Sequence, residues 1–162
     1  MRQLQKLNPH VHIQGRVEHG FGRGSQSLGY PTANLNSSTS QSLHDFLSSM
    51  GCFDGVYIGW GAIPGVHHPR TVAVSVGTNP TFEDSKVRLL EAHFIDYDGP
   101  AFYGEMIRIS LCAYIRPAIK FHTLSELTTE IFNDCQFAKE WLQKDSETRN
   151  EQFSKFLNWD DS

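Results

Sequence analysis

The apolar residues of the chain change period at Pro117, and this change constrains the fold more than any other feature. Before it they recur at every second position, the repeat of a strand with one face buried. Val56, Ile58, Trp60 and Ala62 share one face, Val72, Val74 and Val76 another, and Ile107, Ile109, Leu111, Ala113 and Ile115 a third. With Val11 to Glu18, Thr32 to Leu35 and Arg88 to Ile95 they make about six strands, separated by turns rich in Gly, Pro and Asn. No helical segment is regularly interposed, so a parallel α/β sheet is disfavoured. The expected class is mainly β: a six-stranded antiparallel closed barrel over about residues 10–117.

After Pro117, Leu124, Leu127, Ile131, Cys135, Ala138 and Leu142 step by three or four, the signature of an amphipathic helix. Thr123 and Glu126 stand at capping-box spacing at its start. A second helix is predicted from Glu147 to Leu157, with Phe153, Phe156 and Leu157 as its apolar stripe, and a short one in Gln41 to Met50. These C-terminal helices, over about residues 123–158, should pack on the barrel. The 162 residues are read as a single domain, long enough to bury one substantial core.

A net charge of -4 with no Lys/Arg cluster argues against nucleic acid or an anionic membrane as the main partner. Cys52, Cys112 and Cys135 are widely spaced and lack any Cys-x-x-Cys pairing, so they read as reduced, mostly buried thiols. The N-terminal Met1 to Leu7 has no apolar core of signal-peptide length, and no apolar run approaches a membrane span. A monomer in the cytoplasm is the expectation.

Chemistry concentrates in residues 20–35. Gly20, Gly22 and Gly24 alternate in a loop that leaves backbone N–H groups uncovered for an anion, Arg23 adds charge and Ser25 a hydroxyl. The loop lacks the Gly-Lys-Ser/Thr ending of a P-loop, and no helix follows it as a dinucleotide fingerprint would require. Thr32 and Asn34, two apart on the strand beyond, put a hydroxyl and an amide oxygen on one face. They suit a hard metal that arrives already bound to phosphates. Glu91 sits among Leu89, Leu90 and Ala92, a costly place for a carboxylate unless it reaches a mouth or a partner. From the strand alone, a solvated outward charge shared with His93 is the better reading.

The whole run Gly-x-Gly-Arg-Gly-Ser through Leu-Gly-x-Pro-Thr-Ala-Asn closely resembles the signature of the riboflavin kinases. Gly55-Val56-Tyr57, Gly77 to Phe82, Leu90-Glu91-Ala92-His93, and Phe102-Tyr103-Gly104 through Arg116-Pro117 follow in the family's order, so the resemblance covers roughly residues 10–142. It implies a barrel of the riboflavin kinase type and transfer of the ATP γ-phosphoryl group to the 5'-hydroxyl of riboflavin, giving FMN and ADP. By the same resemblance Gly20, Gly22, Arg23, Gly24, Ser25, Pro31, Thr32, Asn34 and Tyr103 are the binding residues. Thr32 and Asn34 are the metal ligands, while Glu91 and Arg116 are catalytic. Magnesium is the first metal to expect, with manganese or zinc also compatible with oxygen ligands.

Arg116 precedes Pro117 and so should be extended at a strand end, where its guanidinium could clamp phosphate or flavin. Ala118 and Ala101 depart from the Glu and Asp usual in the family at those places. Phe121, Trp141 and Tyr103 are candidates for stacking on the flavin. His10 with His12, and His67 with His68, lack an acidic or Cys partner at metal-ligand spacing and do not suggest zinc. A redox flavoprotein and a non-catalytic module are the alternatives. Neither needs Thr32, Asn34, the glycine loop and Glu91 together, and the chain lacks the His-x-Gly-His of a nucleotidyltransferase.

Overall fold

The computed structural model describes residues 2–18, 32–35, 45, 48–49, 51, 53–77 and 89–159. Six strands appear in chain order: β1 (Gln5–Glu18), β2 (Thr32–Leu35), β3 (Gly55–Ala62), β4 (Arg70–Gly77), β5 (Leu89–Phe94) and β6 (Met106–Pro117). They close into a ring in the order β1-β2-β5-β4-β3-β6, every neighbouring pair antiparallel and β6 returning to β1. Closure gives each of the described strands a hydrogen-bonded neighbour on both sides. β1 is longer than its Val11 to Glu18 pattern, because Gln5 and Lys6 also pair with β6.

Alternation splits the apolar residues into two cores. Val11, Ile13, Val17, Ala33, Leu35, Val72, Val74, Val76, Leu90, Ala92 and Phe94 fill the ring. Val56, Ile58, Trp60 and Ala62 form the second core outside it, beneath α1 (Leu124–Lys144). Every residue of β3 is therefore buried, one face by the ring and the other by the helix.

The single face expected for β6 divides. Ile107, Ile109 and Leu111 point into the ring, whereas Ala113 and Ile115 join the outer core. The cause is register: Gly59 pairs with Leu111 but Ile58 with Ala113, so β6 carries one extra residue there. An inserted residue turns the following side chains to the opposite face. At this bulge a Cβ on Gly59 would meet the Ser110 carbonyl oxygen at 1.9 Å.

α1 begins as its capping signal requires. The Glu126 N–H donates to Thr123 Oγ1 at 3.1 Å, while the Glu126 carboxylate accepts from the His122 N–H at 3.0 Å. Leu127, Ile131, Cys135, Ala138 and Leu142 are buried, joined by Asp134, but Leu124 in the first turn is 55% exposed. The single helix expected from Glu147 to Leu157 is instead α2 (Ser146–Glu151) followed by a 3-10 turn at Lys155–Leu157. Backbone N–H groups of Gln152, Phe153 and Ser154 each reach back three residues, which tightens and ends the helix. Phe153 is thereby 74% exposed, while Leu157 stays buried. α2 is held to the barrel by the Trp60 indole, which donates to the Thr148 carbonyl at 2.6 Å.

Cys112 and Cys135 are free and buried, as expected, and burial pushes the Cys135 thiol up to about 12. Cys52 and most of Gln41 to Met50 lie outside the described residues; Asp45, Ser48 and Ser49 within it are helical.

Gly59→Ala tests the bulge. Because the Cβ meets backbone rather than a flexible side chain, the substitution should cost about 3 kcal/mol or more, measured by urea unfolding.

Candidate functional site

β2 and β5 bring the polar residues of the two strands together. Ala33 and Leu35, and on β5 Leu90, Ala92 and Phe94, point into the ring, so Thr32, Asn34, Glu91 and His93 share the outer face. The register places Thr32 opposite His93 and Asn34 opposite Glu91. Directly opposed side chains on one face lie about 5 Å apart at Cβ, so these four form one patch.

Their contacts form a chain. Thr32 Oγ1 is 3.2 Å from His93 Nδ1, and His93 Nε2 is 3.6 Å from Glu91 Oε1. The His93 side chain is 3% exposed and that of Glu91 22%. Burial moves the two groups in opposite directions: it raises the Glu91 carboxyl to about 7 and lowers the His93 imidazole to about 4. At neutral pH the ring is uncharged, while Glu91 holds its proton to a far higher pH than an ordinary glutamate does. The sequence alone gives His93 a shared face with Glu91 but no role. Its signal was there in the two-residue spacing from Glu91, but the ring's second neighbour, Thr32, is 61 positions away.

Asn34 also faces Glu18 across β1, so the expected phosphate loop leaves β1 next to the Thr32–Asn34 strand. The loop itself, Gly20, Gly22, Arg23, Gly24 and Ser25, lies outside the described residues, as does Pro31. Tyr103, 49% exposed, stands in the turn between β5 and β6. That turn docks at the same end of β1: the Gly104 N–H donates to the Val17 carbonyl at 2.7 Å, and Arg16 Nη1 donates to the Gly104 carbonyl at 2.6 Å.

Arg116 is in the same cross-strand row as the patch but at its far end. Asn34 pairs with Glu91, Glu91 with Ser75, Ser75 with Val56, and Val56 with Arg116. Three strand spacings, about 14 Å measured along the curved sheet, lie between the Arg116 and Glu91 backbones. The guanidinium donates from Nε and Nη2 to the two oxygens of Asp134 on α1, both at 2.8 Å. Arg2 Nε shares Asp134 at 2.9 Å, and Phe121 lies 5.8 Å from the Arg116 guanidinium carbon. Phe121 is thus buried against an ion pair, and Trp141 packs on Phe137 along α1.

The fold gives His10 and His12 the acidic partner that their sequence neighbourhood lacks. Both bind Glu151 of α2, at 2.8 and 2.9 Å, one to each carboxylate oxygen. Among the described residues no group of three or more His, Cys, Asp or Glu side chains is arranged to hold a metal. Among the described residues no helix is long and apolar enough to cross a membrane.

The raised Glu91 group has a measurable consequence. A carboxyl that binds its proton more tightly when folded loses stability as pH rises from its ordinary 4.5 through about 7. Glu91→Gln removes that cost. The variant should be more stable than the parent at pH 8 by up to about 3 kcal/mol, and equal to it at pH 4, in thermal unfolding.

Comparison with known proteins identifies the family. The family model described as riboflavin kinase matches residues 7–142. Riboflavin kinase of Homo sapiens is 34% identical over 130 residues, 80% of this chain and 79% of that protein. The bifunctional riboflavin kinase/FMN phosphatase of Arabidopsis thaliana is 37% identical over 133 residues, 81% of this chain but 33% of that longer protein. The crystal structure of riboflavin kinase from Trypanosoma brucei superposes with a TM-score of 0.61 at 28% identity, covering 88% of this chain and 85% of that one. A family model that spans most of the chain, relatives above 30% identity along four-fifths of it, and a similar fold in a solved riboflavin kinase lead to one conclusion: this chain belongs to the riboflavin kinase family.

Proposed function

We propose that Glu91, Thr32 and Asn34 carry out on this chain the reaction of its family, the ATP-dependent phosphorylation of riboflavin to FMN. The observation that carries this assignment is the register that sets Asn34 opposite Glu91 and Thr32 opposite His93, putting two neutral oxygen ligands beside a carboxyl raised to about 7. A carboxyl near 7 is matched to general-base work at neutral pH.

Glu91 accepts the proton of the riboflavin 5'-hydroxyl. The oxygen so freed forms a bond to the γ-phosphorus, and the bond from that phosphorus to the bridging oxygen breaks, releasing ADP. Because this transfer is loose, positioning and charge neutralisation count for more than early proton removal. The hydroxyl of Thr32 and the amide oxygen of Asn34 suit a divalent cation that brings its charge balance with the nucleotide phosphates. Both are hard, neutral and half-buried on one strand face. Such a cation supplies charge neutralisation at the transferring phosphoryl group. Magnesium fits this donor set best, and manganese fits it as well.

Gly20, Gly22, Arg23, Gly24 and Ser25, with Pro31, are assigned to the phosphates. The assignment rests on their sequence and on the pairing of Glu18 with Asn34 at the loop's root. Tyr103, in the turn docked on Val17, is assigned to the substrate side of the same mouth. Arg116 serves the site through architecture. Nε and Nη2 are engaged by Asp134 and Nη1 donates to the Pro117 carbonyl at 3.2 Å, which supports a role in fixing the end of β6 against α1. The enzyme is read as a cytoplasmic monomer.

Two measurements test the assignments. Single-turnover FMN formation should fall in the parent as pH drops below about 7, because protonated Glu91 is no base. Glu91→Gln should abolish this acidic limb and lower the rate by roughly 10²- to 10⁴-fold. A parent profile flat between pH 5.5 and 8 would remove Glu91 from proton transfer. Thr32→Ala and Asn34→Ala should each raise the magnesium needed for half-maximal rate by about tenfold and be partly rescued by excess metal.

A further inference from the structure

We infer that His93 is a positioning residue whose two ring nitrogens couple the metal-binding hydroxyl of Thr32 to the carboxylate of Glu91. This rests on the assignment of Thr32 as a metal ligand and Glu91 as the base, and adds a group that neither assignment includes.

The placement is specific. His93 is fully enclosed, at 2% exposure, and each ring nitrogen faces a different partner: Nδ1 meets Thr32 Oγ1 at 3.2 Å and Nε2 meets Glu91 Oε1 at 3.6 Å. The backbone brings the three side chains together. On β5 Glu91 and His93 are two residues apart on one face, and the ladder sets Thr32 on one side of His93 and Ala73 on the other. Ala73 is small and buried, which leaves room for the ring beside it.

An uncharged imidazole has one N–H and one lone pair, so the polarity of its two contacts is linked. An ionised carboxylate accepts only, which puts the proton on Nε2. Nδ1 must then accept from the Thr32 hydroxyl. A hydroxyl that donates into the ring turns its lone pairs away from it, ready for a cation. In the same tautomer the Nε2–H dipole attracts Oε1 of Glu91 across a gap too long for a formed hydrogen bond, steering the carboxylate while leaving Oε2 for the substrate hydroxyl. One ring thereby orients both the ligand and the base, the part played by outer partners of metal ligands generally.

Asparagine and glutamine separate the two arms, since the Asn amide reaches about as far as Nδ1 and the Gln amide about as far as Nε2. The gain in ADP affinity produced by Mg2+, measured by titration calorimetry, should survive within about threefold in His93→Asn and fall about tenfold in His93→Gln. Single-turnover FMN formation at saturating magnesium and ATP should show the opposite order, falling about tenfold in His93→Asn and less in His93→Gln. Independently of any variant, 15N spectra of the parent at pH 8 should show His93 protonated at Nε2 and bare at Nδ1.

The Nδ1–H tautomer would overturn the inference, as would His93 variants that keep both properties or lose both in equal measure with a lowered melting temperature. Thr32→Ala and Glu91→Gln, measured in parallel, separate the two levels. If Thr32→Ala keeps the magnesium gain, the ligand assignment itself is wrong. If Thr32→Ala loses it and His93→Gln does not, only the role of His93 fails.

Discussion

The pairing of β1 with β6 is the constraint on which the rest of the structure depends. It joins the first strand of the ring to the last and so closes the sheet. Closure forces β3 into a position where its inner face lines the ring and its outer face, carrying Ile58 and Trp60, must be covered from outside. α1 supplies that cover and packs chiefly on β3 and β4. The outer face of β2 and β5 is left with Thr32, Asn34 and Glu91 only half-buried. The site's position is thus set by where the helix lies.

Glu91 and Arg116 are buried in different company. Arg116 is compensated: Asp134 offers both oxygens, and the pair is buried as a unit with Arg2 at its rim. A buried charge with such a partner is fixed in place, and removing the partner would leave an uncompensated ion. Glu91 has His93 beside it, a ring that its own burial keeps uncharged. With desolvation dominant, its carboxyl rises toward neutrality. That is destabilising for the fold and useful for proton transfer, the usual balance at a working site.

The C-terminal segment shows a further dependence on closure. His10 and His12 lie on one face of β1 and grip Glu151, while His12 stacks on Phe156 with ring centroids 4.4 Å apart. Arg108 of β6 lies over the Trp159 ring at 3.8 Å. Strands from the two ends of the ring hold the same short segment, so α2 and the turn after it lock β1 beside β6.

The amino-acid sequence by itself determined the elements and the chemistry available to them. Period-two alternation before Pro117 and period 3.6 after it are local properties, as is the Thr123 cap, and the resemblance carried by the residues from Gly20 to Asn34 pointed to the family. Tertiary structure decided faces and partners. One extra residue on β6 sends Ala113 and Ile115 out of the ring, and three successive i to i−3 bonds end α2 before Phe153. Neither is visible in a hydrophobic pattern that counts positions along one strand or helix. Asp134 for Arg116, Glu151 for His10 and Thr32 for His93 are likewise supplied by strands and helices distant in sequence. A side chain's pKa follows from burial and partners. Hence the sequence could nominate Glu91, but only the closed ring could give it a carboxyl near 7 and place His93 between it and Thr32.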